Sequence, residues 1–316
     1  MCTLRALAVA TILSSIVVPV AAADGLPVLG VDVGASGITA PDGGSRYVTI
    51  PAPGGTMVER SRRAGGQILS ATFHRGAFTV PAVAYDRSAS GLSGDRHTLV
   101  LIEPRRTFPR ATTSLLVLHA PTLAYRALVK LRGDFSFDAV SPNGSQLYLI
   151  QYLSPADPTR YAVRRFDLGT MRLAAAPVVD PREAGEAMRG NPLSRVESRD
   201  GAMAYTLYDG GGAQPFIHAL DTARARARCI DITGLAPAAL PRLRLHLGDG
   251  GRRVTVVDGT RTLASVDTRT LSVRPPSRSH AASVSAIAAA LAGATLLALV
   301  LRLRRRLQIR RPVPVD

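Results

Sequence analysis

The sequence predicts an all-β repeat protein, a β-propeller of about five, or six, four-stranded blades. Two observations predict this fold: a polar turn containing glycine recurs about every 50 residues, and each turn leads into an apolar or alternating run typical of a strand. The chain has 316 residues, which is enough for a sizeable core, and its 2 cysteines exclude a scaffold stapled by disulfides.

The first recurring turn is marked by a glycine beside an aspartate or asparagine. The marker glycines are separated by 51, 50, 57 and 49 residues. In such turns glycine supplies a positive φ, and the Asp or Asn side chain accepts hydrogen bonds from nearby backbone amides. The turn residues are Asp42, Gly43, Gly94, Asp95, Asn143, Gly144, Asp200, Gly201, Asp249 and Gly250.

A second turn occurs later in most units, where an apolar residue precedes an aspartate and a threonine follows shortly after. The three clear copies contain Asp167, Asp221 and Asp267, and a degenerate copy runs from Leu118 to Thr122. Each copy predicts the tip of an outer hairpin. Two kinds of turn in register across most units make the repeat prediction much stronger than either turn alone.

These turns resemble those of the bacterial extracytoplasmic propeller repeats of the TolB-like, YVTN and WD-repeat-like type. In that pattern an S-P-D-G-like turn separates the first two strands of a blade, and a V-D-T-x-T-like turn separates the last two. The resemblance covers roughly residues 30–275. It is weak in the outer turns of the first two units, which leaves room for a sixth blade within residues 59–84.

The strands predict sheets that are packed on both faces. Leu147 and Leu149 share one face of their strand, while Tyr148 and Ile150 share the other. In the segment 223–229 three arginines alternate with alanines, which is typical of a charged edge strand that resists pairing with another sheet. These arginines are Arg224, Arg226 and Arg228.

Residues 1–23 have the features of a secretory signal peptide. A single arginine precedes a short apolar run, then a proline and the small residues of an A-x-A cleavage site. Cleavage after Ala23 is expected, and an uncleaved anchor helix is the alternative. Export would place the following domain, residues 24–274, outside the cytoplasmic membrane.

Residues 281–301 form an uncharged apolar run of 21 residues, long enough to cross a bilayer as a helix. A short stalk, residues 275–280, precedes it, and an arginine-rich tail, residues 302–316, follows. A basic cluster beside a span stays in the cytoplasm, so the sequence predicts a single-pass protein of the bacterial cytoplasmic membrane. A sorting segment that is later removed is the alternative. The cluster comprises Arg302, Arg304, Arg305, Arg306, Arg310 and Arg311.

The chain is strongly basic, with 39 Lys+Arg against 23 Asp+Glu. Only Lys130 is a lysine, so the arginine content reflects a GC-rich bacterial genome and is not by itself a sign of nucleic-acid binding. An exported domain has no access to nucleic acid, and its excess of about ten positive charges favours an acidic partner such as a wall polymer, a lipid headgroup or a protein. The connection 178–193, which lengthens one repeat, is the best candidate for a specific contact.

No catalytic signature is present. Asp138 and Glu197 precede equivalent turns and are the only pair of carboxylates that a hydrolase or lactonase on this fold would use. No histidine spacing indicates a metal site, no cofactor is expected, and Cys229 is either a small buried residue or a reactive thiol. The sequence therefore favours a non-catalytic binding or scaffold protein. A propeller hydrolase and a sensory subunit of a membrane complex are the alternatives.

Overall fold

The computed structural model describes residues 37–183, 185 and 188–274. This part of the chain is all-β and forms five antiparallel sheets, in which strands that are consecutive along the chain are neighbours except for one short strand of the third sheet. The prediction of an all-β, propeller-like protein is confirmed at this level. The described residues contain no helix of the length and apolarity needed for a membrane span. The predicted signal peptide, stalk, membrane span and arginine-rich tail lie outside the described residues.

Four sheets have a complete set of strands, and sheet 2 has three. Sheet 1 contains β1 (Ile38–Thr39), β2 (Ser45–Ala52), β3 (Gly55–Arg62) and β4 (Ile68–Arg75); sheet 2 contains β5 (Thr98–Ile102), β6 (Thr112–His119) and β7 (Ala124–Arg132). Sheet 3 contains β8 (Phe135–Val140), β9 (Gln146–Tyr152), β10 (Arg160–Asp167), β11 (Arg172–Pro177) and β12 (Met188–Arg189), of which β11 and β12 both pair with β10. Sheet 4 contains β13 (Pro192–Glu197), β14 (Met203–Tyr208), β15 (Phe216–Asp221) and β16 (Arg226–Asp231); sheet 5 contains β17 (Arg244–Gly248), β18 (Arg253–Asp258), β19 (Arg261–Asp267) and β20 (Val273–Arg274).

The segment between sheets 1 and 2 takes the place of a regular inner strand in sheet 2. Thr79 and Leu92 form isolated bridges to β5. Between them the amide of Tyr85 donates to the carbonyl of Pro192 in β13 at 2.9 Å. The segment therefore runs along the inner edges of sheets 2 and 4. Since residues 55–75 belong to β3 and β4, no separate sixth sheet occurs in the region 59–84.

Buried apolar clusters join the sheets in chain order. Separate clusters lie between sheets 1 and 2, 2 and 3, 3 and 4, and 4 and 5. Leu147 and Leu149 face sheet 2, while Tyr148 and Ile150 face sheet 4, so both faces of β9 are covered. Burial of a large apolar side chain contributes about 1.5–3 kcal/mol to stability. Each internal sheet buries such side chains on both of its faces.

The first type of turn has the same hydrogen bonds in sheets 2, 3 and 4. A serine hydroxyl accepts from the amide five residues later, and an Asp or Asn oxygen accepts from the amide two residues later. In sheet 4 the amides of Met203 and Ala202 donate to Ser198 Oγ at 2.8 Å and Asp200 Oδ1 at 3.0 Å. In each of these units the short polar motif therefore stabilises the turn that connects the first strand position with the second. The equivalent acceptors are Ser93 and Asp95 in sheet 2, and Ser141 and Asn143 in sheet 3.

The residue with positive φ is a glycine in most of these turns but an arginine in sheet 2. Gly43, Gly144, Gly201 and Gly250 have φ of +72°, +65°, +70° and +64°. In sheet 2 this conformation belongs to Arg96, with φ of +65°. The expectation that Gly94 supplies the positive φ is therefore wrong. An added Cβ at Gly94 would instead overlap the backbone carbonyl of Asp200, so this glycine permits close contact between two turns.

The turns of four sheets meet at one end of the molecule. The Asp95 amide donates to the Pro142 carbonyl at 2.8 Å, which joins the turns of sheets 2 and 3. Arg96 forms an ion pair with Asp42 of sheet 1. Together with the approach of Gly94 to sheet 4, these contacts gather the inner turns around a common centre, as in a propeller.

The second type of turn separates the last two strands of sheets 3, 4 and 5. Asp167 Oδ1 accepts from the Thr170 amide at 2.7 Å, and Asp267 Oδ1 accepts from the Thr270 amide at 3.0 Å. In sheet 4 Asp221 Oδ1 accepts from the Arg224 amide at 2.8 Å. The amide bonds to Asp167 and Asp267 also lower the pKa of these carboxyls, that of Asp167 to about 2.

Candidate functional site: an arginine cleft

A cleft of about 520 Å³ lies between the outer strands of sheets 4 and 5 and is lined by four arginines and one aspartate. We call it the arginine cleft. Ala227 of β16 is buried, so the alternation of the strand turns its arginines outward. Sheet 5 contributes the outer turn that contains Thr268 and Arg269. The four arginines are Arg224, Arg226, Arg228 and Arg269.

The positive charges of the arginine cleft are only partly compensated. Arg224 forms an ion pair with Asp221 at 3.1 Å, and Arg228 pairs with Asp180 at 3.3 Å. Arg226 and Arg269 have no ion pair within the described part of the chain. Guanidinium groups present a planar fork of donors that matches carboxylate and phosphate oxygens. The cleft can therefore accept an anionic group.

The long connection 178–193 reaches the arginine cleft at Pro181, which is one of its lining residues. It contains a 3-10 turn, Pro181–Glu183, and β12. Asp180, which precedes the turn, is almost fully buried. Its carboxylate accepts from Arg182 Nη2 at 2.6 Å and from the Cys229 amide at 3.0 Å. The connection is therefore fastened to β16, the strand that carries the arginines.

Asp180, Glu183 and Cys229 place potential metal-ligand atoms within 4.8 Å of one another. Asp180, however, already accepts from two arginine side chains and two backbone amides. Burial opposes its ionisation, but the hydrogen bonds from Arg182 and Cys229 hold the pKa of its carboxyl well below the usual range. Burial, reinforced by Glu183 and Asp180, raises the pKa of the Cys229 thiol to about 12. These contacts make Asp180 a structural anchor and keep the half-buried thiol neutral.

The two carboxylates nominated for catalysis, Asp138 and Glu197, are brought together through Arg195. The guanidinium forms an ion pair with Asp138 and a second with Glu197, Nε to Oε1, at 3.2 Å. Arg195 Nη1 also donates to Thr206 Oγ1 at 3.2 Å. The Asp138 and Arg195 side chains are buried, with 4% and 2% exposure, and Glu197 retains 29%. Neither carboxylate is therefore free of a cationic partner.

His218 and His246 differ in their surroundings. His218 is buried in β15, where burial lowers the pKa of its imidazole to about 4 and keeps it neutral at physiological pH. His246 lies on β17 and is exposed. Asp134 belongs to the tripeptide Arg132-Gly133-Asp134, which is typical of adhesion motifs. Its side chain is buried and ion-paired with Arg105 and Arg110, so the carboxylate is not exposed to a partner.

Three residues that form these sites could not be recognised from the sequence around them. Arg195, Asp180 and Arg269 reach partners or neighbours far away along the chain. The charge alternation at 224–228 was the one visible signal, and it identified one wall of the arginine cleft. A second wall from sheet 5 could be recognised only after the sheets were packed together.

The chain matches no known protein family and no curated protein by sequence. It is similar in structure to Kuenenia stuttgartiensis hydrazine synthase, with 14% identity, a TM-score of 0.45, and coverage of 75% of this chain and 64% of that chain. It is also similar to TolB from Acinetobacter baumannii, with 13% identity, a TM-score of 0.42, and coverage of 76% of this chain and 53% of that chain. A putative 6-phosphogluconolactonase from Bacteroides uniformis gives 16% identity, a TM-score of 0.42, and coverage of 74% and 67%. The chain thus spans about half to two thirds of the length of these proteins.

Proposed function

We propose that this chain is a non-catalytic binding protein anchored in the bacterial cytoplasmic membrane, with its propeller-like domain outside and its C-terminus inside. The observation that carries the binding role is the arginine cleft, in which two of four arginines lack an ion pair within the described residues. Its partner is an anionic component of the cell envelope that presents phosphate or carboxylate groups.

The arrangement of Asp138 and Glu197 favours binding over hydrolysis. Hydrolysis by two carboxylates needs one of them as an acid and the other as a base or nucleophile, both facing the substrate. Here Arg195 lies between them and pairs with both. An arginine in this position occupies the space between the two carboxylates in which a substrate would have to lie.

The membrane anchor is supported by the sequence of residues 281–311. The apolar run is long enough for a span, and six arginines follow it. We expect alkaline phosphatase to be active when fused after residue 274 and inactive when fused after residue 316. Expression of each fusion is checked by immunoblot. An active, well-expressed fusion at residue 316 would contradict the proposed orientation.

Reversing two charges of the arginine cleft is expected to weaken the binding of an anionic polymer at least tenfold. The variant is Arg224→Glu with Arg226→Glu, because both arginines lie on one wall and Arg226 has no ion pair within the described residues. Tenfold corresponds to about 1.4 kcal/mol, which the loss of two charge-assisted contacts can supply. Binding of fluorescent polyphosphate to the full-length protein in detergent is measured by anisotropy at two salt concentrations.

The matched control carries the same change in net charge elsewhere. Arg62→Glu with Arg261→Glu alters two exposed arginines on β3 and β19. We expect this control to weaken binding less than threefold, since distant surface charges are screened by salt. Equal weakening by both double variants would mean that polyphosphate binding depends only on net charge. This result would contradict the proposed binding role of the arginine cleft. Repeating the titration with poly-glutamate separates phosphate from carboxylate recognition.

A further inference from the structure

A cavity of about 30 Å³ lies between sheets 3 and 4, close to their inner strands. Its walls contain four of the eight tyrosines of the protein, together with Phe137 and Asp138. We call it the tyrosine cavity. It is separate from the arginine cleft, which lies between the outer strands of sheets 4 and 5. The four tyrosines are Tyr85, Tyr152, Tyr161 and Tyr208.

One oxygen of Asp138 is left without a partner at this cavity. Oδ1 accepts from Arg195, whereas Oδ2 is buried and has no hydrogen-bond partner in the described structure. Leaving a buried acceptor unpaired costs about 1–3 kcal/mol, and more when the acceptor is charged. A donor placed in the cavity would recover that free energy.

The ion pairs at Asp138 leave a negative charge beside the tyrosine cavity. Asp138, Arg195 and Glu197 together have a formal charge of minus one. On another side Arg105 and Arg110 share the carboxylate of Asp134. The electrostatic attraction for a cation therefore comes from Asp138 itself.

Asn191, which lines the cavity, donates two hydrogen bonds to Asp209 and accepts one from the Tyr85 hydroxyl at 2.8 Å. Burial and the Asp209 charge raise the pKa of Tyr85 to about 12, so this tyrosine remains a neutral donor. The Asp209 carboxylate therefore adds negative potential behind Asn191 and Tyr85.

The aromatic walls add a second attraction for a cation. The rings of Tyr161 and Tyr208 lie 5.7 Å apart at the cavity wall. Burial raises the pKa of both hydroxyls, with Tyr208 and Asp138 as further causes at Tyr161 and Tyr208 respectively, so both tyrosines stay neutral. A cation over an aromatic face gains about 0.5–2 kcal/mol, the larger values applying to desolvated sites such as this one.

We propose that the tyrosine cavity binds a small organic cation through a primary ammonium group, which donates to Asp138 Oδ2 and lies against the tyrosine rings. A cavity needs about 10–15 Å³ on this measure to hold one water, so 30 Å³ accepts a group of ammonium or methylammonium size. Bulkier quaternary ammonium groups are excluded by size. The proposal does not depend on the arginine cleft.

The test is a titration of the full-length protein in detergent with ethylammonium chloride, followed by tyrosine fluorescence. The protein has no tryptophan, so four of the eight emitting residues line the cavity. For a ligand of three non-hydrogen atoms, about 1.5 kcal/mol per atom is the ceiling, which sets the expected Kd in the millimolar range. Ethanol and tetramethylammonium chloride, at matched ionic strength, should bind at least tenfold more weakly.

Two variants and one control decide the assignment. Asp138→Asn should weaken ethylammonium binding at least tenfold, and Tyr161→Phe about threefold while leaving every charge in place. Asp258→Asn removes a carboxylate from β18, remote from the cavity, and should leave binding unchanged. If Asp138→Asn does not fold, Tyr161→Phe decides alone. Absence of saturable ethylammonium binding, equal binding of ethanol, or unchanged binding in the folded variants would overturn the proposal.

Discussion

Replacing Arg195 with alanine is expected to lower the free energy of unfolding by about 3–5 kcal/mol, the range for breaking a buried ion pair. The reason is the charge that remains: Asp138 is buried and would lose the guanidinium that compensates it. Thr206 and Glu197 would lose a partner as well. Urea unfolding of the full-length protein in detergent, followed by tyrosine fluorescence, measures the loss.

The control for this prediction is an exposed ion pair. Arg242 pairs with Asp258 at 3.1 Å, with 63% of the arginine side chain exposed, and Arg242→Ala should cost no more than about 1 kcal/mol. The double variant Asp138→Asn with Arg195→Met should lose less stability than Arg195→Ala, because no buried charge is left unpaired. A cost for Arg195→Ala no larger than that for Arg242→Ala would refute the assigned role.

Gly94→Ala is expected to destabilise the protein by about 3 kcal/mol. An alanine Cβ at this position would overlap the carbonyl oxygen of Asp200, and both groups belong to backbone that cannot rotate away. The turns of sheets 2 and 4 would have to separate, which would disturb the point where the inner turns meet. Overpacking typically costs 1–3 kcal/mol, and a clash between two backbones lies at the upper end.

Gly248→Ala provides the matched control. Gly248 also has a negative φ, and an added Cβ there would meet nothing within 4 Å. We expect its effect on the free energy of unfolding to stay within about 0.5 kcal/mol. If both alanine variants unfolded at the same urea concentration, the close contact between the two turns would make no measurable contribution to stability.

The sequence was sufficient to predict the repeats because their turns depend on short-range hydrogen bonds. Ser198 and Asp200 bind amides only two to five residues away, and Asp267 binds amides two and three residues away. Strand alternation likewise depends on a local period, which is why the two packed faces of β9 and the outward position of Arg226 and Arg228 on β16 were predicted correctly. These features can therefore be predicted without knowledge of any contact that is distant along the chain. Arg224, which was expected on the same strand face, lies instead in the turn before β16.

The same local reasoning misassigned the role of Gly94. In the one-dimensional pattern it occupies the place of a turn glycine, yet Arg96 has the positive φ and forms an ion pair with Asp42. A glycine is required at position 94 because the turn around Asp200, more than one hundred residues later, lies directly against it. A glycine required by a neighbouring backbone cannot be distinguished by sequence from one required by its own conformation.

The sequence by itself determined the all-β repeat, the positions of its turns and the excess of arginine on one edge. Only the tertiary structure decided which charges meet: Arg195 with Asp138, Asp180 with Arg228, and Arg269 opposite β16. The physical reason is the distance along the chain over which each kind of interaction acts. Turn hydrogen bonds and strand alternation act over a few residues, whereas ion pairs, cavities and clefts arise where separate sheets pack, and the residues that form them lie tens of positions apart along the chain.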